Sequence, residues 1–150
     1  MAPARWPFIV DAVLAKLRTE LGVDVFDAVP ITGEALTDFV VIGAILEAAD
    51  GRSGTFTQRD HDLGPKNTRD EDGTIVCFLV SQSGDDDVAA RRAAAFSHLA
   101  DIEDVLRDRI TFNVDNTLWV ELAAGDVMQG LTPEGAFCQI NFDLTYSGLI

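Results

Sequence analysis

The chain has 150 residues, of which 47% are hydrophobic, and its formal net charge is −14 at pH 7. This length and apolar fraction suit one hydrophobic core, so we expect a single domain over residues 1–150. A surface this acidic repels phosphate groups and therefore argues against a nucleic-acid-binding module.

The sequence also argues against a membrane protein or an exported one. The longest apolar run, residues 39–46, is only about half the length of a membrane span. The first residues have neither the apolar core nor the cleavage site of a signal peptide, so we expect synthesis and assembly inside a cell. Cys77 and Cys138 lie in predicted strands, where a thiol usually fills the core, and we expect no disulfide.

The first third of the chain predicts one helix and two strands. A proline in the first turn and an apolar stripe indicate a helix over residues 6–21. Residues 23–28 mix apolar and acidic side chains at close to period two, which predicts a half-buried strand. The continuous apolar run of residues 38–46 predicts a more fully buried strand, in which Gly43 marks a bulge or a close backbone approach.

Residues 47–72 form a polar segment that is too poor in apolar side chains to make its own core. We predict a long loop or an extended hairpin that becomes ordered against a neighbouring molecule. Its one aromatic residue, Phe56, is flanked by Thr55 and Thr57. We expect these three residues to pair as a short strand with a partner outside the monomer.

The middle of the chain predicts a buried strand over residues 74–82, followed by the longest helix over residues 88–109. The segment D-E-D-G at residues 70–73 is interpreted as a turn that leads into the strand. Residues 85–87 are three aspartates, which we expect to cap the helix rather than to bind a divalent cation. The helix side predicted to lie on the sheet carries Ala95, Phe96, Leu99, Ile102 and Leu106.

The last third predicts two strands, residues 118–123 and 136–146, which are joined by a connector over residues 125–135. The second strand alternates apolar and polar side chains, as an antiparallel strand with one wet face does. The order of elements fits neither a strict βαβ alternation nor an all-β meander. We therefore predict an α+β fold with a mostly antiparallel sheet, two helices packed on one face and a long loop or hairpin extension.

No recognisable catalytic or ligand-binding signature accompanies these elements. The chain lacks G-x-S-x-G, a Walker loop and the dinucleotide-binding glycine pattern, and His61 and His98 lack metal-ligand spacing to either cysteine. We predict a protein that is not an enzyme, with no catalytic, metal-binding or cofactor-binding residues. The alternative is a small-molecule-binding or hydrolytic domain with a pocket around Cys77, His98 and Asp101.

Two features suggest a surface for self-assembly. Basic side chains occur within the polar segment of a very acidic chain, where they would pair with carboxylates of an identical copy or simply be solvated. Trp119 shares a strand face with Glu121, which suggests either an interface anchor or a core residue. The candidate assembly residues are Thr55, Phe56, Thr57, Arg59, Lys66, Arg69 and Trp119.

A pattern of segments runs along nearly the whole chain. It consists of the opening helix, V-D-V-F-D-A-V-P at 23–30, D-F-V-V-I-G at 38–43, G-T-F-T-Q at 54–58, S-G-D-D-D at 83–87 before an arginine-bearing helix, and N-F-D-L-T-Y-S-G at 141–148. In this pattern the chain resembles the tail terminator (tail completion) proteins of long, non-contractile-tailed bacteriophages. The resemblance implies a single tail-terminator-like domain in which residues 47–72 form the long loop or hairpin.

That resemblance implies a structural virion protein that forms a homo-hexameric ring on the tail tube, stops tube polymerisation and joins the tail to the head. Its partners would be the tail tube protein and a head-tail connector or neck protein, while genomic DNA passes through the bore without specific binding. Six copies at −14 give a formal charge of 6 × −14 = −84, which suits a non-adhesive bore. A head-to-tail connector or the tail tube protein itself would show a similar outline. The expected location is the virion tail or neck, after synthesis in the host cytoplasm.

Overall fold

A computed structural model describes residues 4–28, 36–44, 53–60, 69–107 and 119–149. In these residues the chain forms α1 (Trp6–Glu20), β1 (Asp24–Asp27), β2 (Asp38–Ile42), β3 (Gly54–Asp60), β4 (Arg69–Gln82), α2 (Val88–Arg107), β5 (Trp119–Thr132) and β6 (Gly135–Leu149). The six strands belong to one sheet, in which only β1 and β2 pair in parallel. The predicted α+β class, with a mostly antiparallel sheet and both helices on one face, is confirmed.

The strand order is β1-β2-β4-β6-β5, and β3 lies beside β4 off this path. One side of β4 pairs with β6 along most of its length. The other side pairs with β3 at Arg69–Ile75 and with β2 at Cys77–Ser81. As a result β3 and β5 lie at opposite edges of the sheet, and the strands β3, β4, β6 and β5 alternate in direction.

The main core lies between the sheet and the two helices. α1 contributes Ile9, Val13 and Leu17, each fully buried, and α2 contributes Ala95 and Ile102. The predicted alternation of the last strand is confirmed, because every second residue of β6 points into this core. These residues are Cys138, Ile140, Phe142, Leu144 and Tyr146.

A smaller apolar cluster lies on the opposite face of the sheet and contains Phe39, Val41, Phe78 and Val80. The ring of Phe39 stands edge-on to Phe26 and Phe78, at centroid distances of 6.1 and 6.2 Å. Residues 39–42 are therefore buried on both faces of the sheet, which explains why the run is continuously apolar.

Strand boundaries differ from the prediction in two places. Residues 70–73 do not form a turn, because β4 already begins at Arg69 and pairs there with β3. Of the two structures predicted for residues 47–72, the hairpin extension is the one observed in the described residues. Residues 125–135 are not a connector either, because β5 continues to Thr132 and meets β6 through a tight turn at residues 133–134.

The Asp87 carboxylate accepts a hydrogen bond from the Ala90 N–H at 3.0 Å, which confirms the predicted helix cap. Phe96 is not buried between α2 and the sheet as predicted, because 43% of its surface is exposed. Gly43 is neither a bulge nor a close approach: it ends β2 at a φ of +83°, and a Cβ there would meet nothing within 4 Å. Of the described helices, none is long and apolar enough to cross a membrane.

Two glycines provide a matched test of packing at the sheet. A Cβ on Gly73 would lie 2.5 Å from the ring of Tyr146, whereas a Cβ on Gly22 would meet nothing within 4 Å. We expect Gly73→Ala to lower the free energy of unfolding by about 1–3 kcal/mol, because the tyrosine ring must move. Gly22→Ala should change it by less than about 1 kcal/mol. Urea denaturation of both variants checks this, and equal effects would contradict the packing of Tyr146 on Gly73.

Candidate assembly surface

A buried carboxylate fixes the position of β3. Glu71 of β4 is 0% exposed, and both of its oxygens accept from the Arg5 N–H, at 3.0 and 2.9 Å. Gln58 of β3 donates to it at 2.9 Å, and the Tyr146 hydroxyl of β6 donates at 2.8 Å. The carboxylate thus connects β3, β6 and the residue that precedes α1. Burial raises the pKa of Tyr146, and so do its hydrogen bond with Glu71 and the charge of that carboxylate.

Further contacts hold the same end of the sheet together. The Trp6 indole N–H donates to the Thr74 carbonyl at 2.8 Å, and the Thr55 and Thr74 hydroxyls lie 2.8 Å apart. A Cβ on Gly54 would lie 2.5 Å from Trp6 Nε1, so the indole packs directly on the backbone of β3. β3 is therefore held through both of its faces.

The structure divides the candidate assembly residues between two edges of the sheet. Thr55, Phe56, Thr57 and Arg59 lie on β3, Arg69 begins β4, and Trp119 begins β5 at the opposite edge. Lys66 lies outside the described residues. For Arg69 and Trp119 the structure describes only the strand position.

The strand predicted at residues 55–57 is present, but the partner strand that the structure shows for it lies within the monomer. β3 pairs with β4 of its own chain, where Phe56 lies opposite Gly73 and Arg59 lies opposite Asp70. The outer side of β3 has no partner strand within the described part of the chain. Phe56 remains 53% exposed. Arg59 forms an exposed ion pair with Asp72 at 3.5 Å, which contributes little to stability.

A row of exposed apolar side chains was not predicted from the sequence. It runs along β5, where Val127 is 48% exposed, Met128 39% and Leu131 62%. Val127 and Leu131 lie opposite Ile140 and Ala136 of β6, so they point to the helix side of the sheet. Met128 lies opposite Gln139 and points to the other side.

Phe96 extends this surface from the helix. It lies one turn after Arg92, which donates a hydrogen bond to the Gln129 side chain of β5 at 3.3 Å. That spacing places Phe96 on the side of α2 that faces β5. We call Phe96, Val127 and Leu131 the apolar edge. The outer side of β5 has no partner strand in the described ranges.

A polar cluster ties α2 to the sheet away from both edges. His98 Nε2 of α2 lies 3.0 Å from Asp38 Oδ2 of β2, and Arg91 Nη1 donates to the Ser81 hydroxyl at 3.2 Å. Burial alone would raise the pKa of Asp38, but hydrogen bonds with His98 and Ser81 and the charges of His98 and Arg91 outweigh it, so the pKa is lowered. The Ser81 hydroxyl accepts from Arg91, and the imidazole of His98 bonds to Asp38 rather than to Ser81, so a nucleophile and its base are not paired here. The arrangement favours a structural role.

The structure does not form the alternative pocket around Cys77, His98 and Asp101 in the predicted way. Cys77 is fully buried, which raises the pKa of its thiol to about 12, and its Sγ lies 3.6 Å from the Ile75 carbonyl. Asp101 is exposed on α2, and His98 bonds to Asp38. An open groove of about 370 Å³ lies elsewhere, at the end of β4 and the β5-β6 turn. Glu134 contributes the groove's ionisable side chain.

Comparison with known proteins adds no family to these observations. No family model matches the chain, and no match is found among curated proteins. In the residues that the structure describes, no group of three His, Cys, Asp or Glu side chains is placed to hold a metal ion. The two open strand edges are therefore the features on which a function is best argued.

The buried carboxylate can be tested by an isosteric change. Glu71→Gln loses the charge and turns an amide group toward the donors of Arg5, Gln58 and Tyr146. We expect a loss of about 2–4 kcal/mol in the free energy of unfolding. Glu134→Gln, the same change at an exposed turn position, should stay within about 0.5 kcal/mol. Urea denaturation measures both, and a neutral effect of Glu71→Gln would contradict the anchoring role.

The lowered pKa of Asp38 predicts a specific pH dependence. The stabilisation is fully present above 3.8, the ordinary value of the carboxyl, and is lost as the pH falls through the lower folded value. The urea midpoint of the wild type should therefore fall more steeply between about pH 5 and about pH 2.5 than that of Asp38→Asn. Asp101→Asn, at an exposed position of α2, should keep the wild-type slope. Parallel curves for wild type and Asp38→Asn would show that the pairing with His98 contributes nothing.

Proposed function

We propose that this protein is a structural subunit of a bacteriophage tail, a tail terminator that closes into a ring on the end of the tail tube. The observation that carries the proposal is β5, an edge strand of 14 residues whose outer side has no partner in the described chain. Long edges with exposed apolar side chains pair with other strands unless they are protected. Val127 and Leu131 expose apolar surface along this edge, so the edge is suited to assembly.

The arrangement of the edges supports a ring rather than a symmetric dimer. β5 and β3 differ in length, in side chains and in position, and they lie at opposite ends of the sheet. A contact between unlike surfaces is heterologous, and repetition of such a contact closes into a ring when the rotation allows it. The sequence segments that resemble those of phage tail terminators support the same kind of assembly.

The face of the sheet opposite α1 and α2, on which the described residues form no helix and which we call the helix-free side, supports a bore through which DNA passes. Strand register places Asp72, Glu121, Asp126 and Asp143 on this face. Burial and the charge of Asp126 raise the pKa of Asp143, which reflects the closeness of these two carboxylates. A ring with its helices outside would turn this acidic face inward, where it repels the DNA backbone and prevents adhesion.

Under this proposal the ring acts by binding rather than by catalysis. One rim would bind the last ring of tail tube protein and stop polymerisation, and the other would bind a head-tail connector or neck protein. No resident cofactor is needed. The same edges would also serve a connector or a tail tube protein, and these assemblies differ in length: a tube subunit polymerises without limit, whereas a terminator stops at one ring or a short stack.

The assembly state tests the proposal directly. Six copies of the 16.2 kDa chain give a mass of about 97 kDa, which native mass spectrometry distinguishes from the monomer. We expect a closed ring at micromolar concentration and single rings or short stacks in negative-stain micrographs. Long filaments would favour the tube protein instead. A chain that stays monomeric at every concentration and turns over a small molecule would overturn the proposal.

A further inference from the structure

We propose that the outer side of β5 in one subunit pairs antiparallel with the outer side of β3 in the next, so that a continuous sheet closes the ring. This inference rests on the proposed ring function and specifies its joint. The occupant of each edge is a second copy of this chain. Three independent properties of the two edges support the pairing: strand direction, apolar match on one face and charge match on the other.

Strand direction is compatible with an uninterrupted antiparallel sheet. β3, β4, β6 and β5 alternate in direction from one edge to the other. A β3 strand placed beside β5 in the same orientation continues the alternation. Antiparallel pairing aligns the backbone groups of both edges, which have no partner strand within the described ranges. The joint therefore satisfies hydrogen-bonding groups that water would otherwise solvate.

The helix side of the sheet carries matching apolar residues at the two edges. Phe56 lies opposite Gly73, whose neighbours along β4 on the same face, Glu71 and Ile75, are buried toward the helices. Phe56 is thus on the same side of the sheet as the apolar edge of β5 and α2. Joining the edges places its exposed ring against that surface and removes apolar area from water on both subunits.

The helix-free side carries opposite charges at the two edges. Arg59, whose side chain is 72% exposed, lies on this side together with Thr55 and Thr57. Glu121 and Asp126 lie on the same side of β5 and are exposed. Joining the edges brings the guanidinium of one subunit beside two carboxylates of the next, which fixes the partner and its register.

β1 is the other strand near this edge, and its charges make it a poorer partner for β5. β1 is only 4 residues long and carries Asp24 and Asp27, both exposed. Placing β1 beside Glu121 and Asp126 would bring like charges together, which is unfavourable. β3 is therefore the better partner for β5.

Ring closure requires the strands to tilt, and the tilt determines which residues meet. Within one subunit Phe56 is level with Gly73, Tyr146 and Val120. Four strand spacings of about 4.8 Å and a tilt of about 40° displace one subunit against the next by about 16 Å, or about five residues. A displacement of this size toward the C-terminal end of β5 brings Phe56 from the level of Val120 close to Val127.

Charge reversal tests the joint in the full chain. Arg59→Glu and Asp126→Arg should each raise the subunit dissociation constant by about tenfold or more, because like charges then meet. The double variant Arg59→Glu/Asp126→Arg should recover most of the wild-type affinity. Arg107→Glu is the matched control, since Arg107 is also exposed and also pairs with a carboxylate of its own chain, at 3.8 Å. It should leave assembly unchanged.

Cysteine cross-linking supplies a second measurement that does not depend on affinity. The native Cys77 and Cys138 are buried and free, so their background reaction is low. Phe56→Cys/Val127→Cys should give an oxidation-dependent ladder of cross-linked subunits. Phe56→Cys/Phe8→Cys, which uses an exposed residue of α1, should give none.

The results distinguish failure of the β5–β3 pairing from failure of the proposed ring function. Wild-type rings that resist both charge reversals and give no Phe56–Val127 ladder would overturn the joint and leave the ring function standing. A wild-type chain that forms no ring would overturn both. Circular dichroism and urea midpoints of each variant show whether a loss of rings reflects assembly or misfolding, and the recovery in the double variant cannot come from misfolding.

Discussion

The buried carboxylate of Glu71 is the interaction on which the end of the sheet that contains β3 depends. A charge without water is costly unless every oxygen is bonded, so the donors from Arg5, Gln58 and Tyr146 must stay in place together. These donors come from three separate parts of the chain. Their common acceptor turns a polar hairpin strand, which has little apolar surface of its own, into a fixed part of the sheet. The outer side of β3 is consequently a preformed surface.

The sheet separates three tasks by position. Its helix side supplies the core, its helix-free side carries carboxylates together with the small cluster around Phe39 and Phe78, and its two edges are available for other chains. In the proposed ring, a high negative charge and open strand edges would have complementary effects. Repulsion between acidic faces would oppose random stacking, whereas the edge contact between an arginine and carboxylates would be favourable.

The sequence predicts those parts of the fold in which a local period is intact. β6 keeps its alternation throughout, and α1 keeps its apolar stripe, so both were predicted nearly to their ends. β3 is polar and is stabilised by pairing with distant residues, which local patterns do not encode. Glu71 sits between two aspartates, so its segment resembles a turn in the sequence. Only the pairing of β4 shows that Glu71 shares a face with the buried Ile75 and therefore points inward. The partner of His98 is Asp38 of β2, which is distant in the sequence, so no local pattern near His98 predicts the contact.

The irregularity between Leu122 and Ala124 in β5 changes which alternate residues of the strand face the helices. Before it, even-numbered residues such as Val120 face the helices, and after it odd-numbered ones such as Val127 do. Loss of Ala123 would therefore straighten the strand and keep each side chain on its face. Loss of a residue further along would exchange the two faces and turn carboxylates toward the core. Natural variation in chain length should accordingly be tolerated at this one point and selected against beyond it.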